Sequence, residues 1–168
     1  QTTITYQGKE YTLKDNIETF LVLGLDKFDG SDDWSDGKQA DFLMLFVFDN
    51  DTKQSTAIQI NRDTMTAVNR LDIGGNKIDT QTMQIALAYN YIYDDSEKLS
   101  CRNTADSVSH LLQGVPVEHY LSVTMDAVPA LNDLVGGVAV EVLDNFTGID
   151  DTLVKGQTVT LKGNQALT

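Results

Sequence analysis

Three short apolar runs between residues 20 and 64 constrain the fold of this chain more than any other feature of its sequence. They cover residues 20–25, 42–48 and 56–60. Continuous apolar runs of this length are typical of β-strands that are buried inside a sheet. We therefore expect three neighbouring strands in the core, and the residues at their ends become the first place to look for a site.

Charged residues mark the ends of all three runs. Asp26 follows the first run, Asp41 precedes the second, and Arg62-Asp63 follows the third. Ligand sites in open α/β sheets gather at strand ends. Two carboxylates and one guanidinium are the groups that a metal-assisted phosphate site needs. The alternative is that the acids only cap turns, and that Arg62 and Asp63 form a surface ion pair of little energetic value.

The remaining patterns predict an α/β protein with a mixed central β-sheet flanked by helices in α-β-α layers. Residues 1–15 are expected to form a small lead hairpin around Gln7-Gly8, and the turn at residues 49–51 joins the second and third strands into an antiparallel hairpin. Residues 65–75 lose periodicity and are predicted to be loop. Helices are predicted over residues 83–92, from Asn103, and from Asp126, with further strands near residues 119–124, 138–142 and 158–161.

Composition narrows the class of function. The 168 residues are enough for one domain with a proper core, and the net charge of −13 argues against nonspecific binding to nucleic acid. The single cysteine, Cys101, excludes an internal disulfide and a cysteine-based zinc cluster. The acidic stretch 27–39 is interpreted as a solvated loop rather than a calcium site, because its spacing does not match an EF-hand.

Several motifs, taken in order, resemble the LytR-CpsA-Psr family of bacterial cell-envelope proteins. They are Leu23-Gly-Leu-Asp26, Ala40-Asp41 before an apolar strand, Ile60-Asn-Arg-Asp-Thr64, the run 103–120, Leu131-Asn-Asp-Leu-Val-Gly-Gly-Val138, and Leu161-Lys-Gly-Asn-Gln-Ala-Leu167. The resemblance implies a phosphotransferase. Such an enzyme moves a teichoic acid or capsular polysaccharide from a polyprenyl-pyrophosphate carrier to peptidoglycan, at the extracytoplasmic face of the bacterial membrane or in the cell wall.

The same resemblance implies roles for individual residues. Asp26 and Asp41 would bind Mg²⁺ (or Mn²⁺), Arg62 would bind the pyrophosphate, and Asp63 would orient Arg62 or line the site. Further contacts to substrate phosphate are assigned to Gln39, Lys27 and Lys38. Gln39 stands where the family usually carries an arginine, so we expect one phosphate contact to be weakened here or moved to a lysine.

The limits of the chain shape the last expectations. Residues 16–168 are expected to correspond to the family's catalytic domain truncated at its C-terminus, because the family's Arg-x-Arg motif follows the Gln-Ala-Leu segment. This polypeptide alone is therefore expected to be weakly active or inactive. A membrane anchor is expected upstream of Gln1. Two alternative functions stay open at this point, a lipid pyrophosphatase and a noncatalytic module that binds polyprenyl pyrophosphate or the cell wall.

Overall fold

The apolar runs lie in three strands of one sheet, as predicted. The expectation that all three strands are buried is wrong for the third, because it lies at the edge of the sheet: residues 54–59 are exposed and only Ile60 is buried. The computed structural model describes residues 3–27, 39–90 and 96–168. Its strands, in chain order, are β1 (Thr3–Tyr6), β2 (Lys9–Thr12), β3 (Ile17–Leu25), β4 (Ala40–Asp49), β5 (Gln54–Ile60), β6 (Met65–Leu71), β7 (Lys77–Gln84), β8 (His119–Val123), β9 (Val138–Glu141) and β10 (Thr158–Leu161). Its α-helices are α1 (Glu97–Leu111) and α2 (Ala127–Leu134), and the 3-10 helices are Ile85–Asn90 and Gly163–Leu167.

The described residues fall into two units. The first comprises residues 3–26, 39–90 and 96–123, and the second comprises Lys27 and residues 124–168. The first unit carries the central sheet, in which the strand order is β5-β4-β3-β8. Strands β4 and β5 are antiparallel to their neighbours, whereas β8 runs parallel to β3. The prediction of an α/β fold with a mixed central sheet is therefore confirmed.

The core of the first unit follows from the alternation along β3 and β4. Leu21 and Leu23 on β3 and Leu43 on β4 are fully buried. Ile85 from the 3-10 helix and Val108 from α1 belong to the same buried cluster. At roughly 1.5–3 kcal/mol for each fully buried aliphatic side chain, this cluster is the main source of stability for the sheet.

The lead hairpin forms between β1 and β2, and its turn has the conformation that its sequence indicates. Gln7 and Gly8 both have positive φ, 49° and 73°. Two successive residues with positive φ are what a type I′ turn requires, and that turn matches the twist of the two strands that it joins.

The prediction of a loop over residues 65–75 is wrong. Residues 65–71 form β6, which pairs with β7 in a separate two-stranded antiparallel sheet. The strands escaped prediction because their apolar residues are few. Val68 of β6 is fully buried, yet the residue opposite it on β7 is the exposed Gln81. Strand β6 buries polar residues beside Val68, and β7 is mostly exposed. Neither strand therefore shows a continuous apolar run.

The predicted helices are also shifted. Residues 85–90 form a 3-10 helix, and Met83 lies in β7. Helix α1 begins at Glu97, six residues before the predicted Asn103, and Ser96 caps it by accepting a hydrogen bond from the Leu99 backbone N–H at 3.4 Å. The first turns were missed because the buried face of α1 consists largely of small and polar residues rather than of large apolar ones. These include Ser100, Cys101, Asn103, Thr104 and Ser107.

The second unit contains α2, β9, β10 and the last 3-10 helix. Asn132 on α2 ties it together, since its amide donates to the Leu161 carbonyl at 2.8 Å and accepts from the Val138 N–H at 3.0 Å. Gly137, which follows α2, has φ 89°, and a Cβ there would lie 2.5 Å from the Leu161 carbonyl oxygen. A glycine is therefore required at this close approach. Within the described ranges, no helix is both long enough and apolar enough to cross a membrane.

Candidate functional site

The candidate site lies at one end of the strands of the central sheet, where β3 ends and β4 begins. Because these strands are antiparallel, Leu25 at the end of β3 pairs with Ala40 at the start of β4. Asp26 follows the first of these residues and Asp41 follows the second. The exposed Asp26 and the half-buried Asp41 therefore come from adjacent strand ends, as the sequence predicted.

Strand β5 brings Arg62 to the same end of the sheet. Ile60, the last residue of β5, pairs with Leu43 near the start of β4. Arg62 lies two residues beyond Ile60, so its side chain emerges beside the first residues of β4. The sheet thus brings Asp41 and Arg62 into contact, while Asp26 lies at the neighbouring end of β3 and does not line the cleft beside them.

A β-bulge sets the position of Asp41. Gly24 pairs with Phe42, and Leu25 pairs with Ala40, so Asp41 has no partner on β3. An extra residue of this kind bends its strand and re-aims a side chain at the sheet edge. The bulge depends on Gly24, because a Cβ there would lie only 2.8 Å from the Cβ of Phe42.

Arg62 is held by two acceptors on the β4 side. Its Nη1 donates to Oδ1 of Asp41. Its Nη2 donates to Oε1 of Gln39 at 2.6 Å. The Arg62 side chain remains 43% exposed. The contact with Gln39 differs from the predicted phosphate contact, since here the Gln39 carbonyl oxygen orients an arginine.

The backbone around Arg62 is fixed by a short turn. Oδ1 of Asn61 accepts from the Asp63 N–H at 2.8 Å, and the Asn61 carbonyl accepts from the Thr64 N–H at 3.0 Å. The segment that follows β7 adds two more bonds, from the Ala86 N–H to the Arg62 carbonyl at 3.2 Å and from Ile85 to Thr64 at 2.9 Å. The arginine therefore projects from an anchored turn rather than from a free loop.

Asp63 lies near the Nε atom of Arg62. Its Oδ1 lies 4.0 Å from Nε of Arg62, and its side chain is 66% exposed. The same oxygen accepts a hydrogen bond from Nε2 of Gln84, the last residue of β7, at 3.1 Å. This arrangement is compatible with the predicted role of orienting Arg62.

An open cleft of about 440 Å³ lies beside these groups, and residues 41–43 and 59–62 line it. Asp41 and Arg62 supply its charges, while Phe42, 41% exposed, supplies apolar surface. A guanidinium offers five N–H donors. Two are used in the bonds to Asp41 and Gln39, so three remain for a ligand when bonds within the described ranges are counted.

Comparison with known proteins identifies the family. The model described as the LytR_cpsA_psr family matches residues 2–168. The chain belongs to this family.

Two curated relatives are similar to this chain in sequence, and both are named polyisoprenyl-teichoic acid–peptidoglycan teichoic acid transferase TagU. The chain is 29% identical to the protein from Bacillus licheniformis over 155 residues, which cover 91% of this chain and 44% of the relative. It is 30% identical to the protein from Enterococcus faecalis over 172 residues, which cover 97% of this chain and 50% of the relative. The chain thus spans about half the length of the curated relatives that it matches.

Solved structures support the fold. The crystal structure of Bacillus subtilis TagV superposes with a TM-score of 0.60 over 92% of this chain and 55% of that one, at 23% identity. At this identity the match establishes only the fold of the LytR_cpsA_psr chain and says nothing about its chemistry.

The acids of this LytR_cpsA_psr chain fit a hard divalent cation. Magnesium prefers oxygen ligands and uses one or two carboxylates, with water and substrate phosphates completing its shell. Asp26 and Asp41 are two such carboxylates at adjacent strand ends, and Arg62 contacts Asp41. Across the described residues, no set of three or more His, Cys, Asp or Glu side chains is grouped to hold a metal. A site here would therefore depend on phosphate oxygens and water.

The other predicted residues are not all brought into this cluster. Lys27 belongs to the second unit, where its carbonyl accepts from the Met125 N–H at 2.9 Å. Lys38 lies outside the described residues, as does most of the acidic stretch 27–39. Cys101 is buried, and burial raises the pKa of its thiol, which makes it an inert core residue.

Sequence reasoning missed Gln84 and Asn61. Gln84 fell inside a predicted helix, so nothing connected it with a strand end. The sequence did carry a signal for Asn61, because an asparagine side chain commonly accepts a hydrogen bond from the backbone N–H two residues later and so forms an Asx-turn. In the structure Asn61 shapes the turn that carries Arg62, and Gln84 contacts Asp63.

Proposed function

We propose that this protein transfers an anionic glycopolymer, of the teichoic acid or capsular polysaccharide type, from a polyprenyl-pyrophosphate carrier to peptidoglycan. The reaction class comes from the two relatives, each named a polyisoprenyl-teichoic acid–peptidoglycan teichoic acid transferase. The observation that carries the proposal is the Arg62 guanidinium, oriented by Asp41 and Gln39 beside an open cleft.

The reaction exchanges one phosphorus–oxygen bond for another. A sugar hydroxyl of peptidoglycan attacks the phosphorus atom that bears the glycopolymer. The bond from that phosphorus to the bridging oxygen breaks, and polyprenyl phosphate leaves with the bonding electron pair. The hydroxyl proton is released to water. Little covalent chemistry is asked of the protein, so catalysis rests on positioning and on stabilising charge.

Arg62 supplies the main contact to the pyrophosphate. Its remaining N–H donors grip nonbridging oxygens, and its charge offsets the negative charge that gathers on the departing phosphate. Asp41 and Gln39 hold the guanidinium in place before the substrate arrives, so its orientation is not lost to side-chain motion. Asp63 keeps the Nε side of the guanidinium turned toward the turn at residues 61–64.

Asp26 and Asp41 would hold Mg²⁺ (or Mn²⁺). Such a cation neutralises phosphate charge and lowers the energy of the departing group. Held by these two acids, the cation would also allow a chain with a net charge of −13 to bind a pyrophosphate, which the unassisted surface would repel.

The proposed reaction implies partners and a location. The donor is a glycan linked to a polyprenyl carrier in the membrane, and the acceptor is peptidoglycan. Both are found together at the extracytoplasmic face of a bacterial cell membrane, so we place the protein there, attached through a membrane anchor outside this chain.

Incubation of the full-length ectodomain with a polyprenyl-pyrophosphate-linked glycan, peptidoglycan fragments and Mg²⁺ tests the proposal. Mass spectrometry should detect the glycan and one phosphate on the peptidoglycan product. Arg62→Ala should reduce the yield by about 100-fold or more, which is the scale of losing a charged contact in the transition state. The exposed Lys14→Ala, which removes a cation from the opposite end of the sheet, is the matched control and should leave the yield unchanged.

The same assay separates the alternatives. Release of phosphate from the carrier without transfer would replace the proposal with a lipid pyrophosphatase. Tight binding of the carrier with no cleavage would replace it with a binding module. Gln39 gives the binding module a specific argument, since a neutral amide adds no charge to offset a pyrophosphate.

A further inference from the structure

We propose that Gln84 is a positioning residue that fixes the carboxylate of Asp63 and, through it, the guanidinium of Arg62. The proposal rests on the function proposed for Arg62 and goes beyond it. It adds β7 and the two-stranded sheet to the parts of the molecule that control pyrophosphate binding.

The first observation is the contact itself. Nε2 of Gln84 donates to Oδ1 of Asp63 at 3.1 Å, and this same oxygen is the one nearest to Nε of Arg62, at 4.0 Å. The three side chains therefore form a chain in the order glutamine, aspartate, arginine. One carboxylate oxygen connects the two contacts, so a change at the Gln84 end alters what Arg62 faces.

The second observation is that Gln84 lies where β7 meets the turn at residues 61–64 that carries Arg62. The next two residues, Ile85 and Ala86, are buried, and their N–H groups donate to the Thr64 and Arg62 carbonyls. These backbone bonds fix the position of Gln84 relative to Asp63 without any contribution from its side chain. The side chain then acts from a rigid base, which is the condition for a positioning residue to be effective.

The third observation is the exposure of Asp63. With 66% of its side chain exposed, this carboxylate has no packing that would hold it in one rotamer. Without Gln84, water would compete for its oxygens and the carboxylate would rotate among several positions. The contact with Gln84 makes the orientation facing Arg62 the preferred one, and Arg62 is then held from the β7 side as well as from β4.

The test compares Gln84→Ala with Gln81→Ala. Gln81 is an exposed glutamine on the same strand that hydrogen bonds to Asp79 rather than to the site, so it is a matched control. The chain has only three arginines, Arg62, Arg70 and Arg102, so their Nε–H groups give three NMR signals that can be assigned by mutation. Gln84→Ala should shift the Arg62 signal and leave that of Arg70 in place, whereas Gln81→Ala should leave the Arg62 signal unchanged.

Binding supplies the second readout. Farnesyl pyrophosphate with Mg²⁺ is the probe, and Gln84→Ala should weaken its binding by about 3- to 10-fold, the scale of one lost hydrogen bond. In an Asp63→Ala background the same substitution should have almost no further effect, because the residue through which it acts is gone. Gln81→Ala should bind the probe like the unmodified protein.

Three results overturn the proposal. They are an unchanged Arg62 signal in Gln84→Ala, equal shifts in Gln84→Ala and Gln81→Ala, and independent effects of Gln84 and Asp63 on probe binding. The NMR readout needs no ligand. If Gln84→Ala shifts the Arg62 signal while the unmodified protein fails to bind the probe, the positioning contact stands and the proposed function of Arg62 fails.

Discussion

The two ends of β4 carry the same kind of ion pair, but one pair stabilises a turn and the other belongs to the candidate site. At the C-terminal end, Asp49 accepts a hydrogen bond from Nζ of Lys14 at 2.5 Å. At the N-terminal end, Asp41 accepts one from Nη1 of Arg62. Both acids are partly exposed, 19% and 31%, and both cations are largely exposed. Charge and burial therefore do not distinguish a structural acid from a candidate site residue in this strand.

The difference lies in the other donors. Asp49 also accepts from the backbone N–H groups of Asp51 at 3.0 Å and Thr52 at 3.1 Å, so it caps the turn into β5. The hydrogen bond from Lys14, followed by that from the Thr52 backbone, holds the pKa of Asp49 well below its usual range. Asp41 sits in a bulge, and Arg62 is the only hydrogen-bond donor to its carboxylate among the residues that the structure describes.

The comparison gives a practical rule for this sheet. An acid whose oxygens are filled by turn N–H groups stabilises the fold and has little capacity left for a ligand. An acid whose carboxylate has a single side-chain donor keeps lone pairs for a cation, and its arginine keeps N–H groups for a phosphate. Substitutions at the two ends of β4 test this contrast, and their expected effects fall in order from the largest to the smallest.

The largest difference in transfer activity is expected between substitutions of the two cations, Arg62 and Lys14. Arg62→Ala should reduce glycopolymer transfer by about 100-fold or more, since it removes the charged contact to the pyrophosphate. Lys14→Ala should leave transfer unchanged and only lower the urea midpoint. Steady-state transfer rates and unfolding curves for both variants test the contrast, and equal losses of activity would abolish it.

Substitutions of the two acids, Asp41 and Asp49, should likewise differ in their effects on transfer and on Mn²⁺ binding. Asp41→Asn should reduce transfer by about 10- to 100-fold and weaken binding of Mn²⁺, because an amide is a poorer ligand for a hard cation than a carboxylate. Asp49→Asn should preserve transfer and Mn²⁺ binding but lower the unfolding temperature. Calorimetric titration with Mn²⁺, alongside thermal unfolding, measures both quantities, and the contrast is lost if Mn²⁺ binds equally to all three proteins.

Gly24→Ala should damage the Asp41 end selectively. The new Cβ would lie 2.8 Å from the Cβ of Phe42, so the strands must move apart at the bulge. We expect a loss of about 1–3 kcal/mol in the free energy of unfolding, the usual cost of overpacking, together with a fall in transfer. Hydrogen exchange should rise near residues 24 and 41 and stay constant near residue 49. Uniform exchange along β4 would show that the bulge does not set the geometry.

A smaller effect is expected at Gln39. Replacing it by alanine removes one of the two acceptors of Arg62, and binding of farnesyl pyrophosphate should weaken by about 3- to 10-fold. Gln39→Glu should restore the acceptor and hold Arg62 more strongly through its charge. Fluorescence competition with the pyrophosphate measures these affinities. Identical affinities for the unmodified and alanine proteins would remove Gln39 from the site.

The smallest effect is the pH dependence of stability at the structural end. Because the pKa of Asp49 is lowered in the folded state, its contribution is fully present above the unfolded pKa of about 3.9 and is lost as the pH falls through the folded pKa. The difference in urea midpoint between the unmodified protein and Asp49→Asn should therefore be greatest above about pH 5 and shrink below about pH 4. A difference that grows in acid would contradict the sign.

The sequence predicted the parts of the fold that are buried and apolar. Strands β3 and β4 were recognisable because Leu21, Leu43 and their neighbours form continuous runs in the core. Strand β5 was recognised from a similar run, although only Ile60 of it is buried. Strands β6 and β7 were not, because exposed residues such as Gln81 interrupt the pattern. The early turns of α1 were missed for a related reason, since Ser100 and Thr104 pack against the core without being apolar.

The candidate site was predictable in its charged residues and not in its supports. Asp41 and Arg62 stand next to apolar runs, so their arrival at one sheet edge followed from antiparallel pairing. The bulge at Gly24 and the contact of Gln39 with Arg62 depend on the register between strands and on side-chain geometry, which single-sequence patterns do not encode. Gln84 depended on β7, which was itself missed.

The central claim is that the Asp41–Arg62 edge of the sheet binds a lipid-linked pyrophosphate with a divalent cation. A crystal structure of the protein with Mn²⁺ and farnesyl pyrophosphate tests it most directly. We predict an anomalous peak roughly 2.0–2.3 Å from a carboxylate oxygen of Asp41, with Arg62 N–H groups on the pyrophosphate oxygens. Density for the pyrophosphate elsewhere, with Arg62 still bound only to Asp41 and Gln39, would contradict the account.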